Sequence, residues 1–270
     1  MADKKQEKPR LVEEYEIKTD TLSTIINIVE EDYIRKYHVV LPQVDVATAA
    51  LLDDIKERLI SSVDMNVNDI LDTHLLEKLR LDFEERARKL IAEELPNLEE
   101  NVKSQFIQDL INELMGLEEI EYFLVDPQLE EIVVNSASEP VRVYHKKYGW
   151  LETNVIPHSE DRIKNYANTI ARRIGREVTM LNPLLDAHLM TKDRANAILA
   201  PISTKGNTIT IRKFARDPWT CTDFIKNKTA STEVLSLIWL MIQYEMNIMI
   251  SGGTGSGKTS FLNICMPFIP

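Results

Sequence analysis

The sequence predicts an α/β protein with an α+β front part, and three observations carry that prediction. Short β-branched runs bounded by Gly, Pro and Asn flank one amphipathic helix pattern through the middle of the chain. Ahead of them, residues 47–115 repeat apolar residues at three- and four-residue spacing, the period of helices that bury one face. At the far end a short apolar run enters a glycine-rich loop that opens a further apolar helix pattern.

The elements divide into three segments. Residues 1–115 are an acidic, mainly helical region with two early strands. A polar tail to about Arg10 precedes "TLSTIINIVEEDYIRKYHVVLP", whose β-branched and aromatic residues read as two strands bounded by Pro42. Leu51, Leu52, Ile55 and Leu59, then Leu76, Leu79, Phe83, Ala87, Leu90 and Ile91, mark amphipathic helices. Pro96 breaks one helix, and Gly116 ends the next by supplying a left-handed turn. Residues 116–216 are α/β. "EEIVVN" and "VRVYHKK" are strands, "YGW" is a turn, and a helix capped by Ser159 runs through Ile163, Tyr166, Ile170 and Ile174 to Gly175. Three further strands, "HLMT", "RANAILAPI" and "NTITIRKF", follow, the last two joined by the turn "STKG". Residues 217–270 begin in the linker "ARDPWTCT", continue through helices at "TDFIKN" and "STEVLSLIWLMIQYE", and finish with the strand "NIMIS", the glycine loop and a helix.

Composition narrows the function classes. With 44% hydrophobic and 28% charged residues, the chain has the make-up of a globular protein rather than a disordered one. Cys221 and Cys265 show neither zinc-ligand spacing nor a disulfide framework, which fits a reducing cytoplasm and buried thiols. The longest apolar run, "VLSLIWLMI", is too short to span a bilayer, so a membrane role would be peripheral. The net charge of −11 is all in residues 1–115, while residues 142–216 hold 14 basic and 6 acidic residues. A basic middle in an acidic chain favours an anionic ligand.

Gly252-Gly253-Thr254-Gly255-Ser256-Gly257-Lys258-Thr259, followed by Ser260, satisfies G-x-x-x-x-G-K-[ST], the Walker A pattern. Four of the chain's eight glycines fall in these residues. A loop that wraps a polyphosphate turns successive N–H groups inward, which demands backbone angles and a close approach that a Cβ obstructs. The helix that follows sets its free amides and positive dipole end at the phosphates. Lys258 would reach the β- and γ-phosphates of ATP, and the Thr259 hydroxyl would ligate Mg²⁺. Hydrolysis further requires a metal-holding carboxylate on a neighbouring strand, and Pro270 follows Lys258 by only twelve residues. Phe261, Leu262, Ile264, Met266, Phe268 and Ile269 would also want a sheet to cover them. The expectation is therefore the front part of a longer protein, truncated after Walker A.

Taken with what precedes it, this loop resembles that of the secretion-superfamily ATPases, the hexameric motors of type II and type IV secretion, nearest the archaeal branch that builds archaella and type IV pili. The residues that carry the resemblance are "FLVDPQLEEIVVN", "PVRVYHKKYGWLETN", "ARRIGREVTMLNPLLDAHLMTKDRANAILAPIS", "NTITIRKFARDPWT" and "NIMISGGTGSGKTSFLN". The resemblance implies a PAS-like domain followed by the first strand, loop and helix of a RecA-like ATPase domain. It implies a homo-hexamer in which the N-terminal domain of one subunit docks on the ATPase domain of the next, and it implies arginines at the nucleotide phosphates, here Arg194 and Arg212, as catalytic partners of Lys258. Arg172, Arg173 and Arg176 read as helix surface or subunit contact. The family's acidic box, Walker B carboxylates and histidine box are not in this sequence, and Ser260 stands where a second Thr is common.

The leading functional reading is an ATP- and Mg²⁺-binding subunit of a cytoplasmic motor, peripheral at the inner face of the cell membrane. It would work on a polytopic membrane platform protein, and the acidic front would meet that protein's basic loops. The alternatives are a non-catalytic nucleotide-binding or assembly module, because Walker B is absent, and a DNA-transfer ATPase. The basic middle shows no aromatic stacking pattern of the kind single-strand binders use, so nucleic acid is not the expected partner.

Overall fold

A computed structural model describes residues 9–18, 23–41, 45–61, 73–96, 98–189, 191–214, 218–253 and 255–270. The tail through residue 8, Pro42 and the linker residues 215–217 lie outside the described residues. The chain divides into two compact units, residues 1–214 and 215–270.

In the first unit nine strands form one sheet in the order β1-β2-β3-β6-β5-β4-β9-β8-β7. The front meander is β1 (Arg10–Lys18), β2 (Ser23–Glu31) and β3 (Ile34–Val39). The two strands expected between residues 21 and 42 are β2 and β3. β1 is an addition, carried by the alternation of Tyr15 and Ile17 with Glu14 and Glu16. The other six strands make up the rest of the sheet: β4 (Leu129–Val134), β5 (Arg142–His145), β6 (Gly149–Thr153), β7 (Leu184–His188), β8 (Arg194–Ile198) and β9 (Thr208–Arg212). The early strands therefore do not stay with the helices that follow them. β3 pairs in parallel with β6 through Lys36↔Glu152 and Tyr37↔Thr153. The Asn154 side chain prolongs that seam, accepting from the Val39 amide at 2.9 Å and donating to the Val39 carbonyl at 2.9 Å.

Two sequence expectations shift. The strand expected at "HLMT" lies earlier, at Leu184–His188, because Leu185 and Ala187 alternate inward there. Met190 of that run lies outside the described residues; beyond the strand, Lys192 stands at φ 69° and Leu189 N donates to the Asp193 carbonyl at 2.8 Å. Gly116 does not supply a left-handed turn: its φ is −108° and ψ −156°. Glycine is required there by close approach, since a Cβ would lie 2.8 Å from the Asn112 carbonyl oxygen.

One face of the sheet is covered by α4 (Ile120–Val125) and α5 (Glu160–Arg173), whose Ile120, Phe123, Ile163, Tyr166 and Ile170 join Ile26, Ile28, Ile132, Val143, Ala195 and Ile211 in one core. Each fully buried large apolar side chain of this kind stabilises by about 1.5–3 kcal/mol. Ser159 caps α5, its Oγ accepting from the Arg162 amide, and Gly175 at φ 67° follows the helix end as expected. The helices α1 (Val46–Ser61), α2 (Thr73–Glu94) and α3 (Glu100–Met115) bury Ile55, Leu59, Phe83, Ala87, Ile91, Phe106 and Leu110 in a core of their own.

The second unit holds α6 (Cys221–Lys226), α7 (Thr232–Gln243) and α8 (Lys258–Cys265) around a small core of Phe224, Ala230, Leu235, Ile264 and Cys265. Thr220 and Asp223 form a capping box on α6. Of the six apolar residues expected to lack cover, Ile264 is buried and Phe261 and Phe268 pack partly on that core, while Leu262, Met266 and Ile269 are exposed. The strand expected at "NIMIS" is irregular backbone. A strand exists only as part of a ladder, and no described strand pairs with these residues.

Two carboxylates, one fully and one partly buried, join elements across the first unit. Asp126, fully buried after α4, accepts from the Tyr15 and Tyr37 hydroxyls at 2.7 Å each and from the Gln128 amide at 2.7 Å. Replacing Asp126 with Ala leaves two buried hydroxyls without their acceptor, and the expected loss is about 2–4 kcal/mol in urea unfolding of the chain. Asp109 on α3 accepts from the Tyr122 hydroxyl on α4. Burial pushes its carboxyl up to about 6 against that opposing hydrogen bond, with Glu119 and Glu113 adding to the rise. A raised carboxyl is a penalty that is absent below about pH 4, where both states are protonated, and complete above about pH 6. Stability should therefore fall by on the order of 2–3 kcal/mol between those limits from this group, and Asp109→Asn should flatten that part of a stability-versus-pH series.

Candidate functional site

The glycine loop lies in the second unit between the irregular segment 246–251 and α8, and its glycines serve three different needs. Gly255 at φ 74° and Gly257 at φ 83° hold left-handed backbone, Gly257 being the residue that starts α8. At Gly252 the constraint is contact, since a Cβ would meet Ser256 Oγ at 2.6 Å. Gly253 has neither reason, because its φ lies outside the left-handed region and a Cβ there would meet nothing within 4 Å. A residue that the protein's own packing leaves free to carry a side chain, yet is glycine, keeps open a space beside the backbone. That is the cradle a close-bound phosphate requires. Thr254 lies outside the described residues.

The loop curls on the Gly253 carbonyl, which accepts from the Lys258 ammonium and, at 2.9 Å, from the Ser256 hydroxyl. The Phe261 amide donates to the Gly257 carbonyl at 2.8 Å, closing the first turn of α8. The amides of Lys258, Thr259 and Ser260 stand in that first turn, ahead of the intrahelical acceptors, at the positive end of the helix dipole. The Thr259 hydroxyl belongs to an exposed residue beside them. An open cleft of about 450 Å³ is lined by Ser251, Ser256, Gly257 and Lys258 together with Phe224, Ile248 and Phe261. The residues present thus fit a polyphosphate with its metal ion: amides and an ammonium for the anion, a hydroxyl oxygen for the cation.

The two arginines lie in the first unit. Arg194 on β8 and Arg212 on β9 are directly opposed in the antiparallel ladder and face solvent. Arg194 donates through Nε and Nη2 to Asp186 at 3.1 and 2.8 Å, and Arg212 donates through Nε to Glu131 at 3.2 Å. Sequence reasoning did not single out Asp186 or Glu131. The available signal was their place on the solvent-facing alternation of "LLDAH" and "LEEIVV". Arg173 donates to the Met115 carbonyl at 2.8 Å and Arg176 to the Asp186 carbonyl at 3.3 Å, so both serve the first unit's own structure.

Residues 116–270 match the family described as Type II/IV secretion system protein. The chain belongs to that family. The match covers the same residues on which the secretion resemblance rests, and the resemblance to type II/IV secretion proteins is upheld. Among relatives, the chain is 39% identical over 168 residues to the uncharacterized protein MJ0900 of Methanocaldococcus jannaschii, covering 62% of this chain and 30% of that protein. It is 30% identical over 266 residues to MJ0781 of the same organism, covering 96% and 35%. It is also 26% identical over 175 residues to the type IV secretion system protein PtlH of Bordetella pertussis, covering 57% and 51%. The chain thus spans about a third of the length of the two Methanocaldococcus relatives. Among solved structures, the VirB11 ATPase of the Brucella suis type IV secretion system, in complex with sulphate, aligns at 21% identity and a TM-score of 0.36 over 57% of this chain and 52% of that one. Among the described residues, no helix of this secretion-family chain is long and apolar enough to cross a membrane.

Two of the three roles of the glycines separate in mutants. Gly253→Ala should change unfolding stability by less than about 0.5 kcal/mol, as an exposed substitution without a clash does. Gly257→Ala should cost about 1 kcal/mol or more, because alanine is strained at positive φ. Paired urea denaturation curves of the two variants check this.

Proposed function

We propose that this chain is the nucleotide-binding part of a secretion-superfamily motor ATPase. The loop Gly252–Ser260 holds the phosphates of ATP, Lys258 neutralises the β- and γ-phosphates, Thr259 contributes its hydroxyl to Mg²⁺, and Arg194 and Arg212 serve phosphoryl charge. Mg²⁺, when held by Thr259, would supply Lewis-acid polarisation of the phosphoryl oxygens. In the assembled machine six subunits form a ring at the cytoplasmic face of the membrane. Hydrolysis there does work on a polytopic platform protein, in assembling a pilus or archaellum or in secreting protein. The acidic helices α1–α3 are the surface offered to basic loops of that platform. A single observation carries the nucleotide reading: Gly253 is glycine where the protein's own packing asks for none, in the loop ahead of a helix whose first lysine bonds back to it. Family membership supports the motor role.

Titration with a fluorescent ATP analogue tests this reading. Lys258→Ala removes charge-assisted hydrogen bonds of about 1.5–3 kcal/mol and should weaken binding by roughly 10- to 100-fold. Thr259→Ala should lose only the Mg²⁺-dependent part of the affinity. Unchanged binding in Lys258→Ala, with circular dichroism showing a folded chain, would refute the reading.

A further inference from the structure

The solvent face of β8 and β9 carries a charge arrangement that cross-strand pairing by itself disfavours. Arg194 and Arg212 are direct partners in the ladder, and like charges directly opposite on antiparallel strands repel. Each arginine has its own carboxylate on the outer side. Asp186 on β7 takes Arg194 through two hydrogen bonds, and Glu131 on β4, the direct ladder partner of Arg212, takes Arg212. Because β7 and β4 flank the β8–β9 pair on opposite sides, the two ion pairs draw the guanidiniums away from each other. At the Asp186 end, His188 is the ladder partner of Arg194, and the Arg176 guanidinium donates to the Asp186 carbonyl. The bond from Arg194 holds the Asp186 carboxyl below its usual range.

Exposure shows what these pairs can do. The Arg194 and Arg212 side chains are 59% and 73% exposed, and solvent screening leaves ion pairs at such positions weak. They are strong enough to orient a planar guanidinium and weak enough to exchange. A phosphoryl group is the anion suited to replace them, since its three oxygens accept from two guanidiniums at once in charge-assisted bonds. A carboxylate on one flank satisfies one arginine only.

We propose that Asp186 and Glu131 are exchangeable counter-ions: positioning residues that keep Arg194 and Arg212 apart and yield both together to one phosphoryl group. The proposal rests on the phosphate-handling reading above and adds selectivity to it. Two neighbouring unpaired arginines would collect any small anion. With the carboxylates in place, only an anion that engages both arginines together displaces both counter-ions.

The test uses the full chain with ¹⁵N-labelled arginine, the Nε–H resonances of Arg194 and Arg212 being assigned through Arg→Lys variants and titrated with sodium tripolyphosphate, then with formate. In the wild-type chain both resonances should move together with tripolyphosphate and stay put with formate. The double variant Asp186→Asn, Glu131→Gln should reach half-saturation at several-fold lower tripolyphosphate and begin to respond to formate. Asp186→Glu with Glu131 intact should restore wild-type behaviour, which a merely structural role would not require. Resonances that ignore tripolyphosphate, or a double variant that binds it no more tightly than wild type, would overturn the proposal. Lys258→Ala separates this from the loop reading. The arginine response must persist in that variant, and its disappearance would show that the probe was sensed at the loop and would overturn the proposal. Full affinity of Lys258→Ala for the ATP analogue would instead sink the loop reading, whatever the arginines do.

Discussion

The nine-stranded sheet depends on one seam. Between β3 and β6 the ladder has just two register pairs, and it joins strands whose chain positions lie more than a hundred residues apart. Pairing at that separation carries a large chain-closure cost, so short parallel contacts need support. Asn154 gives the first part of it by bonding both backbone groups of Val39, as a neighbouring strand would. Tyr37 gives the rest. Its ring is buried at the seam, edge-on to Phe123 at 5.8 Å, and its hydroxyl reaches Asp126 beside that of Tyr15. A fully buried carboxylate is costly unless its lone pairs are occupied. Here donors from β1, β3 and the backbone after α4 occupy them, so the group that is expensive to bury is what ties the front meander to the helix-covered half.

The same seam reaches the arginines through β9. Lys213 donates to the Asp126 and Phe123 carbonyls at the end of α4, and its amide continues the ladder to the Glu130 carbonyl at 2.8 Å. Successive residues of a strand face opposite sides, so a lysine fixed on the α4 side sends Arg212 to the solvent side. Ala195, Ala197, Ile209 and Ile211 fix the register from within the core. A slip of one residue would put Arg194 and Arg212 inside and those four outside. Placement of the arginine pair is therefore a consequence of burying the apolar residues between which it alternates.

This explains which parts of the protein were legible in the sequence. Helices α1–α3 follow from a local period, α5 from Ser159, Gly175 and a clean apolar face, and β4, β5, β8 and β9 from β-branched alternation. The glycine loop follows from residue types at fixed spacing. What escaped was set by partners far away in sequence. Nothing local in "LVEEYEIK" says that it will border a sheet completed by residues 129–212, and nothing in "EEIVVN" says that Glu131 will lie beside Arg212 rather than merely face water. "NIMIS" has the composition of a strand, but its state is decided by whether another strand lies alongside. Gly116 shows a subtler limit: glycine after a helix has two physical reasons, positive φ or a crowded Cβ, and the letter does not say which.

The loop and the arginine patch, though on separate units, follow one principle of cation handling. Lys258 is held by a neutral carbonyl and Arg194 by a carboxylate, so each cation already has an acceptor to give up. The Lys258 bond has one ionised partner and the Arg194 bond has two, so the acceptor of the arginine adds a Coulomb attraction that the carbonyl lacks. On the proposed reading, a loop lysine resting on the Gly253 carbonyl would yield to a phosphate that enters the cradle, whereas arginines resting on carboxylates would yield only to an anion that satisfies two of them together. That reading would place grip where the resting acceptor is uncharged, and discrimination where it is charged.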